Sequence, residues 1–240
     1  MSTTQRIVVV TGASRGIGAS LARRFLDLGY GVVASARSIE ASDIAGDARV
    51  AVVSGDIADP RAAERIVEAA MLRFGRIDTL VNNAGMFVSK PFIEYEEADF
   101  ASAIAVNLAG FFYATRRAAS IMLRAGSGHI VNITASIAEQ PQASVPAALA
   151  ALTKGGLNAV TRSLAIEYAG HGLRVNAVSP GVVRTPMHPP GALEFLAGLQ
   201  PMGRVGEMCE IVDAVLYLEG ATFVTGEILH VDGGAQAGCR

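Results

Sequence analysis

Short runs rich in valine and isoleucine alternate along this chain with longer segments whose apolar positions recur every three to four residues. A continuous apolar run reads as a strand buried on both faces, and the longer period as a helix laid against it. The runs cover residues 6–10, 31–35, 50–53, 79–82, 129–133, 173–178 and 227–231. Amphipathic stretches lie at 17–28, 60–74, 98–124, 147–169 and 207–218, each followed by glycine or a short polar turn. The pattern predicts β-α-β units closing into an α/β architecture, a doubly wound, seven-stranded, mostly parallel sheet with helices on both faces. Residues 180–206 break the rhythm with five prolines, five glycines and no strong period. That is too long for an ordinary connection and reads as a functional flap or lid. No repeat or compositional boundary divides residues 1–240, so one domain is expected.

Composition narrows the function. The chain has 240 residues, 51% of them hydrophobic, enough for a core buried on several sides. Twenty Lys and Arg against 22 Asp and Glu give a net charge of −2, which speaks against a nucleic-acid backbone as partner but not against a small anion. Cys209 and Cys239 are too few and too far apart for a disulfide framework or a zinc site. They are expected to be free thiols, with no metal. The first residues lack a secretory signal and no uninterrupted apolar run reaches about 18 residues, so the expectation is a soluble, cytoplasmic protein with no membrane partner.

The first run ends in Thr11-Gly12-Ala13-Ser14-Arg15-Gly16-Ile17-Gly18 and opens directly into a helical stretch. Glycines let a backbone approach a pyrophosphate, and a helix N-terminus offers it free N–H groups. The spacing is G-x-x-x-G-x-G rather than G-x-G-x-x-G, and a tight strand-to-helix connection is the plainer reading of it. Further landmarks follow in order: Asn82-Asn83-Ala84-Gly85 after the fourth strand, Val106-Asn107-Leu108-Ala109-Gly110 in the long helix, Thr153-Lys154-Gly155-Gly156, Pro180-Gly181 after the sixth strand, and Val231-Asp232-Gly233-Gly234 near the end.

In these motifs, which span nearly the whole chain, the sequence resembles the short-chain dehydrogenase/reductase family. The resemblance implies a Rossmann-like fold and a nicotinamide cofactor acting on a small-molecule carbonyl, alcohol or imine. It implies cofactor contacts from Gly12, Ser14, Arg15, Gly16, Ile17, Gly18, Asn83, Ala84, Gly85, Lys154, Pro180, Gly181, Val183 and Thr185, with Asp56 and Ile57 flanking the adenine. Charge bears on which cofactor. The second strand ends Ala34-Ser35-Ala36-Arg37-Ser38, without the carboxylate that would bind the ribose hydroxyls of NAD and repel a 2′-phosphate. Arg37 and Arg15 together suit a phosphate, so NADP(H) is preferred and NAD(H) remains possible; the plainer reading is two solvated arginines. The family also implies a homo-oligomer, a tetramer first and a dimer second, with Phe111, Phe112, Ile121 and Met122 as interface or core.

At the catalytic centre the pattern breaks. The family places a proton-transferring tyrosine four residues before the lysine, on the same helix face, and here that position is Ala150. None of the five tyrosines stands near Lys154, and the longer spacing of enoyl reductases falls on Ala147. The family's assisting serine corresponds to Ala135, with Ser136 one step late; Thr134 and Ser136 either polarise a substrate or cap backbone groups. Asn107, which in the family holds a water in the proton path, is intact, and its alternative is to satisfy backbone. Lys154, an ammonium among Ala and Leu, calls for a ligand or a hydrogen-bond partner. His188, in the lid, is the replacement acid of interest or else a solvated lid residue. Lid residues Met187, Leu193, Phe195, Leu196 and Met202 read either as an apolar pocket wall or as packing. Two functions follow: an NADP(H)-dependent oxidoreductase with a non-standard proton donor, or a catalytically silent cofactor-binding sensor or partner subunit.

Overall fold

The computed structural model describes residues 5–39 and 43–238. Seven strands, β1 (Ile7–Thr11), β2 (Gly31–Ala36), β3 (Val50–Ser54), β4 (Thr79–Asn82), β5 (Gly128–Ile133), β6 (Leu173–Pro180) and β7 (Ile228–Val231), form one sheet in the order β3-β2-β1-β4-β5-β6-β7. All six pairings are parallel. Between them run α1 (Gly16–Asp27), α2 (Pro60–Phe74), α3 (Glu97–Ala103), α4 (Gly110–Ala125), α5 (Ala148–Tyr168), α6 (Leu193–Gly198) and α7 (Met208–Gly220).

The continuous apolar strands are explained by helices on both sides. Val8 and Val10 of β1 pack into the layer under α1 and α7, whereas Ile7 and Val9 face the layer under α2 and α4. Helix ends follow local chemistry. Asp59 caps α2 by accepting from the Arg61 N–H at 2.9 Å, Pro60 opens the helix and left-handed Gly75 closes it. Glu207 and Glu210 form a reciprocal capping box on α7.

Two local departures from the sequence pattern matter. The stretch read as one helix over 98–124 is α3 and α4 joined by a π-helical segment, Ile104–Ala109. Asn107 lies inside that segment, its side chain bonded to the backbone of Met86. Gly110, directly after the segment, packs where an added Cβ would lie 2.9 Å from Ile57. The segment 180–206 carries the short helix α6. Its base is pinned by a parallel bridge, with the Gly206 N–H donating to Val182 O and the Arg184 N–H to Gly206 O, both at 2.8 Å. Met122 is fully buried core, whereas Phe112 is 54% exposed.

Candidate active site

Chain order reverses between β1 and β4, and a cleft of about 1070 Å³ opens there at the carboxyl ends of the strands, where open α/β sheets bind ligands. Three glycines shape its floor, two of them lining it and one behind. Gly12, at φ +68°, lies so close to the next loop that a Cβ would sit 2.9 Å from Ala84 Cα. Gly16, at φ +61°, faces Thr185 and Pro186 of the flap. Gly18 does not line the cleft; a Cβ there would be 2.3 Å from Gly12 O, so its part is to let α1 approach the strand. Asn83 locks this turn, its Nδ2 donating to Thr11 O at 2.9 Å and Gly12 O at 3.2 Å. Thr11 Oγ1 accepts from the N–H groups of Asn83 and Ala84, both at 3.0 Å. The side-chain amide of Asn83 is thus occupied holding the turn, although the residue still forms cleft wall with Ala84 and Gly85.

Ser14, Arg15 and Ile17 line the cleft at the start of α1, whose first turn has no side-chain cap, so an anion would meet open N–H groups. Arg37 and Ser38 line it from the end of β2, and Ala36 supplies no acid. Asp56 and Ile57 form the far wall; Asp56 Oδ1 accepts from the Ala58 N–H at 3.0 Å.

At the other end the flap residues Pro180, Gly181, Val183, Thr185 and His188 close over the site. Lys154 rises from α5 and its Nζ donates to Ile133 O at 2.9 Å. The same nitrogen stands 2.9 Å from where a Gly85 Cβ would be, so a side chain there would make the lysine end shift. It has no ion-pair partner among the described residues, and burial alone pushes it down to about 8. Ala150, one turn earlier, is 3% exposed and lies outside the cleft wall. No tyrosine lines the cleft: Tyr95, for example, is spent on Val88 O.

The remaining candidates sort by what their side chains already touch. Asn107 is outside the wall; its Oδ1 accepts from the Met86 N–H at 2.9 Å and its Nδ2 donates to Met86 O and Thr153 Oγ1. Thr134 donates to Val178 O at 3.3 Å, which is backbone capping. Ser136 is brought into the wall, because β5 ends at Ile133 and a 3-10 turn over Ser136–Ala138 interrupts the strand's alternation. Burial lowers His188 below its ordinary value. Of Met187, Leu193, Phe195, Leu196 and Met202, Met187 and Leu196 reach the wall, as do Val182, Val183 and Leu199; Phe195 and Met202 are mostly exposed.

Comparison with known proteins gives this arrangement its place. A family model described as enoyl-(acyl carrier protein) reductase matches residues 12–236. The chain is 38% identical to 3beta-hydroxysteroid dehydrogenase 1 of Eggerthella lenta, over 95% of this chain and 93% of that one. The chain belongs to the short-chain dehydrogenase/reductase family. Another short-chain dehydrogenase/reductase relative, cis-4-hydroxycyclohexanecarboxylate dehydrogenase of Sinomonas cyclohexanicum, is 37% identical over 97% of each chain. Among solved structures, ElxO with NADP bound superposes with a TM-score of 0.90 at 27% identity, covering 98% of this chain and all of that one. The 3-ketoacyl-(acyl-carrier-protein) reductase of Brucella melitensis, complexed with NADH, gives 0.89 at 28%, with the same coverage.

Sequence reasoning missed Gln142, Val145 and Gln200, which also line the cleft of this short-chain dehydrogenase/reductase. Gln142 Nε2 donates to Leu199 O at 3.2 Å and ties the loop before α5 to the flap. The run 140–154 lacks the family's usual composition, which is the one signal near Gln142 and Val145; nothing singles out Gln200 within the flap. Among the described residues no helix is long and apolar enough to cross a membrane. Cys209 is a free, exposed thiol, and Cys239 lies outside the described residues.

Proposed function

We propose that this short-chain dehydrogenase/reductase is an NADP(H)-dependent oxidoreductase acting on a small carbonyl, alcohol or imine, with a proton donor other than a tyrosine phenol. The nicotinamide cofactor supplies or receives the hydride. The observation that carries the reading is Lys154, buried with one carbonyl for company at the floor of a cleft sited at the strand-order reversal. An uncompensated buried ammonium is costly, and a ribose or substrate oxygen in the cleft would relieve it. The close-packed glycines and the uncapped start of α1 fit a pyrophosphate, which Ser14, Arg15 and Gly16 would hold through backbone N–H groups. Arg37 and Arg15 make no ion pair with a described carboxylate and suit a 2′-phosphate; NAD(H) is the second choice. Pro180, Gly181, Val183 and Thr185 would cover the nicotinamide, with Asp56 and Ile57 beside the adenine.

Solved relatives with NADP and with NADH support the cofactor class. Ala150 and Ala135 favour the second reading, a cofactor-binding sensor or partner subunit without turnover. NADPH carrying deuterium at the transferable position, offered with a panel of ketones, enones and imines, separates the two by mass spectrometry. Label in a product is expected. Cofactor binding with no label moving across the panel would overturn the enzyme reading in favour of the sensor. Exposed Phe112, Leu152 and Ile166 on α4 and α5 support a homo-oligomer, a tetramer before a dimer, which light scattering would check.

A further inference from the structure

Reduction at this site requires a proton for the substrate heteroatom, and no phenol is in the cleft wall to give it. The hydroxyl, amine and imidazole groups at the reactive end include Thr134, Ser136, Lys154, Thr185 and His188, and Thr134 already donates to Val178 O. Thr185 Oγ1 accepts from the Met187 N–H inside the flap. Hydroxyls polarise an oxygen but need a further base or acid behind them to pass a proton on. His188 is held below the ordinary imidazole value by burial, so near neutral pH it is mostly deprotonated and a poor acid.

Lys154 stands apart. Its Nζ commits one of three N–H bonds, to Ile133 O, and Lys154 itself lines the cleft, so its other two N–H bonds are available to a ligand bound there. We propose that Lys154 is itself the general acid and base of the reaction, its ammonium hydrogen-bonding the substrate oxygen or nitrogen and passing it a proton. This rests on the oxidoreductase reading above. In the reducing direction a bound nicotinamide would supply hydride to the substrate carbon, and as the C=O or C=N π pair moves onto the heteroatom an N–H bond of Lys154 breaks and the new O–H or N–H bond forms. The neutral amine then takes a proton from solvent; oxidation runs the same steps backward.

The surroundings support this role. The groups beside Nζ are neutral: the Ile133 carbonyl that accepts from it and the Gly85 backbone, with the Asn107 amide on the same side of Gly85. The charged side chains of the cleft, Arg15, Arg37 and Asp56, belong to its other end, and His188 to the flap. Burial with no countercharge brings the amine to about 8, close enough to neutrality for it to give and regain a proton in each turnover.

The chain contains only two lysines, so the test is direct. Protein labelled with carbon-13 at the lysine ε carbons should give two side-chain signals, assigned with Lys154→Arg. In the cofactor-free protein one should titrate with a midpoint of about 8, while Lys90, held up by its bond to Asp99, stays charged to higher pH. The rate of label transfer from deuterated NADPH should fall above that same midpoint. Lys154→Arg keeps the cation but not the labile proton; it should still bind NADPH and lose about 10²- to 10⁴-fold in turnover. Lys154→Cys in a Cys209→Ser, Cys239→Ser background, aminoethylated to a thioether amine, should regain turnover with its alkaline limb moved to lower pH, since the sulfur weakens the base. Turnover in Lys154→Arg within a few-fold of the parent, or a limb that stays in place after aminoethylation, would overturn the proposal while leaving the enzyme reading intact. A parent protein that moves no label sinks both. Should the aminoethylated protein fail to bind NADPH, the two-lysine titration and Lys154→Arg still decide.

Discussion

Glu219→Gln would test the buried polar cluster that lies at the end of the sheet opposite the cleft. Glu219 Oε2 accepts from His129 Nδ1 at 2.7 Å, and Oε1 accepts from Thr79 at 2.8 Å, from Tyr30 at 3.2 Å and from the Arg6 guanidinium. The His129 tautomer is imposed from the other side. Asn176 Oδ1 accepts from the Glu227 N–H and its Nδ2 donates to Val224 O, both at 3.0 Å. That same Nδ2 faces His129 Nε2 at 3.1 Å, so Nε2 must accept and Nδ1 must carry the proton aimed at Glu219. A glutamine offers one acceptor where two are needed, and its NH2 has to face either His129 or the Thr79 and Tyr30 hydroxyls. At least one buried donor is then unpaired, a cost of about 1–3 kcal/mol, and the surviving bonds lose their charge assistance. Arg6 is 47% exposed, so its ion pair is discounted for screening by water. The expected loss at pH 7 is about 2–4 kcal/mol, read as a lower urea midpoint at unchanged m and fixed protein concentration. The pH dependence follows from two depressed values. Burial would raise Glu219, but the His129 and Thr79 bonds and the Arg6 charge outweigh it and hold it low. Its contribution is therefore present above the unfolded value of about 4.3 and is lost as pH falls through the folded one. Burial holds His129 low against the pull of Glu219, so stability also declines as pH drops below about 6.5, where the unfolded chain takes up a proton that the folded ring refuses. The Glu219 part of the deficit should accordingly persist down to about pH 4.3 and shrink only below it, as the folded carboxyl takes up its proton. A variant within about 0.5 kcal/mol of the parent at pH 7, the range of an ordinary surface change, would refute the donor count.

Arg37→Ala should weaken NADPH about tenfold, the low end for a charge-assisted bond because the side chain is exposed, and leave NADH unchanged. Calorimetric titration showing equal losses for both cofactors would contradict the 2′-phosphate assignment. Gly18→Ala forces a Cβ to 2.3 Å from a backbone oxygen that cannot swing away, so it should cost at least about 1–3 kcal/mol and abolish cofactor binding. A folded variant that binds NADPH normally would show that the turn is not the nucleotide cradle. Ala150→Tyr places a phenol at a site that is buried and outside the cleft wall. The expected result is a melting temperature lowered by overpacking and no gain in carbonyl reduction; a large gain in turnover would mean that the site still accepts the family's acid.

How much of this was legible in the sequence depends on how local each cause is. The strands could be read because helices on both faces demand unbroken apolar runs such as Val8, Val9 and Val10, and the nucleotide turn because close backbone approach demands glycine at 12 and 18. The π-helical segment was hidden, since the contacts made from within it, such as the bond between Asn107 and Met86, span 21 positions. The entry of Ser136 into the cleft was hidden for a related reason, because alternation locates a side chain only while the strand lasts and β5 stops at Ile133. Lys154 lies between these cases. Its identity and the missing phenol stand in the sequence, but what the lysine can do depends on burial without a countercharge, on the Ile133 carbonyl 21 residues away and on the room left by Gly85. A lysine that serves only to orient a ribose can stay fully protonated at every working pH. One brought near neutrality by burial can also exchange its proton, and that property is set by the packed neighbours that the linear pattern does not reveal.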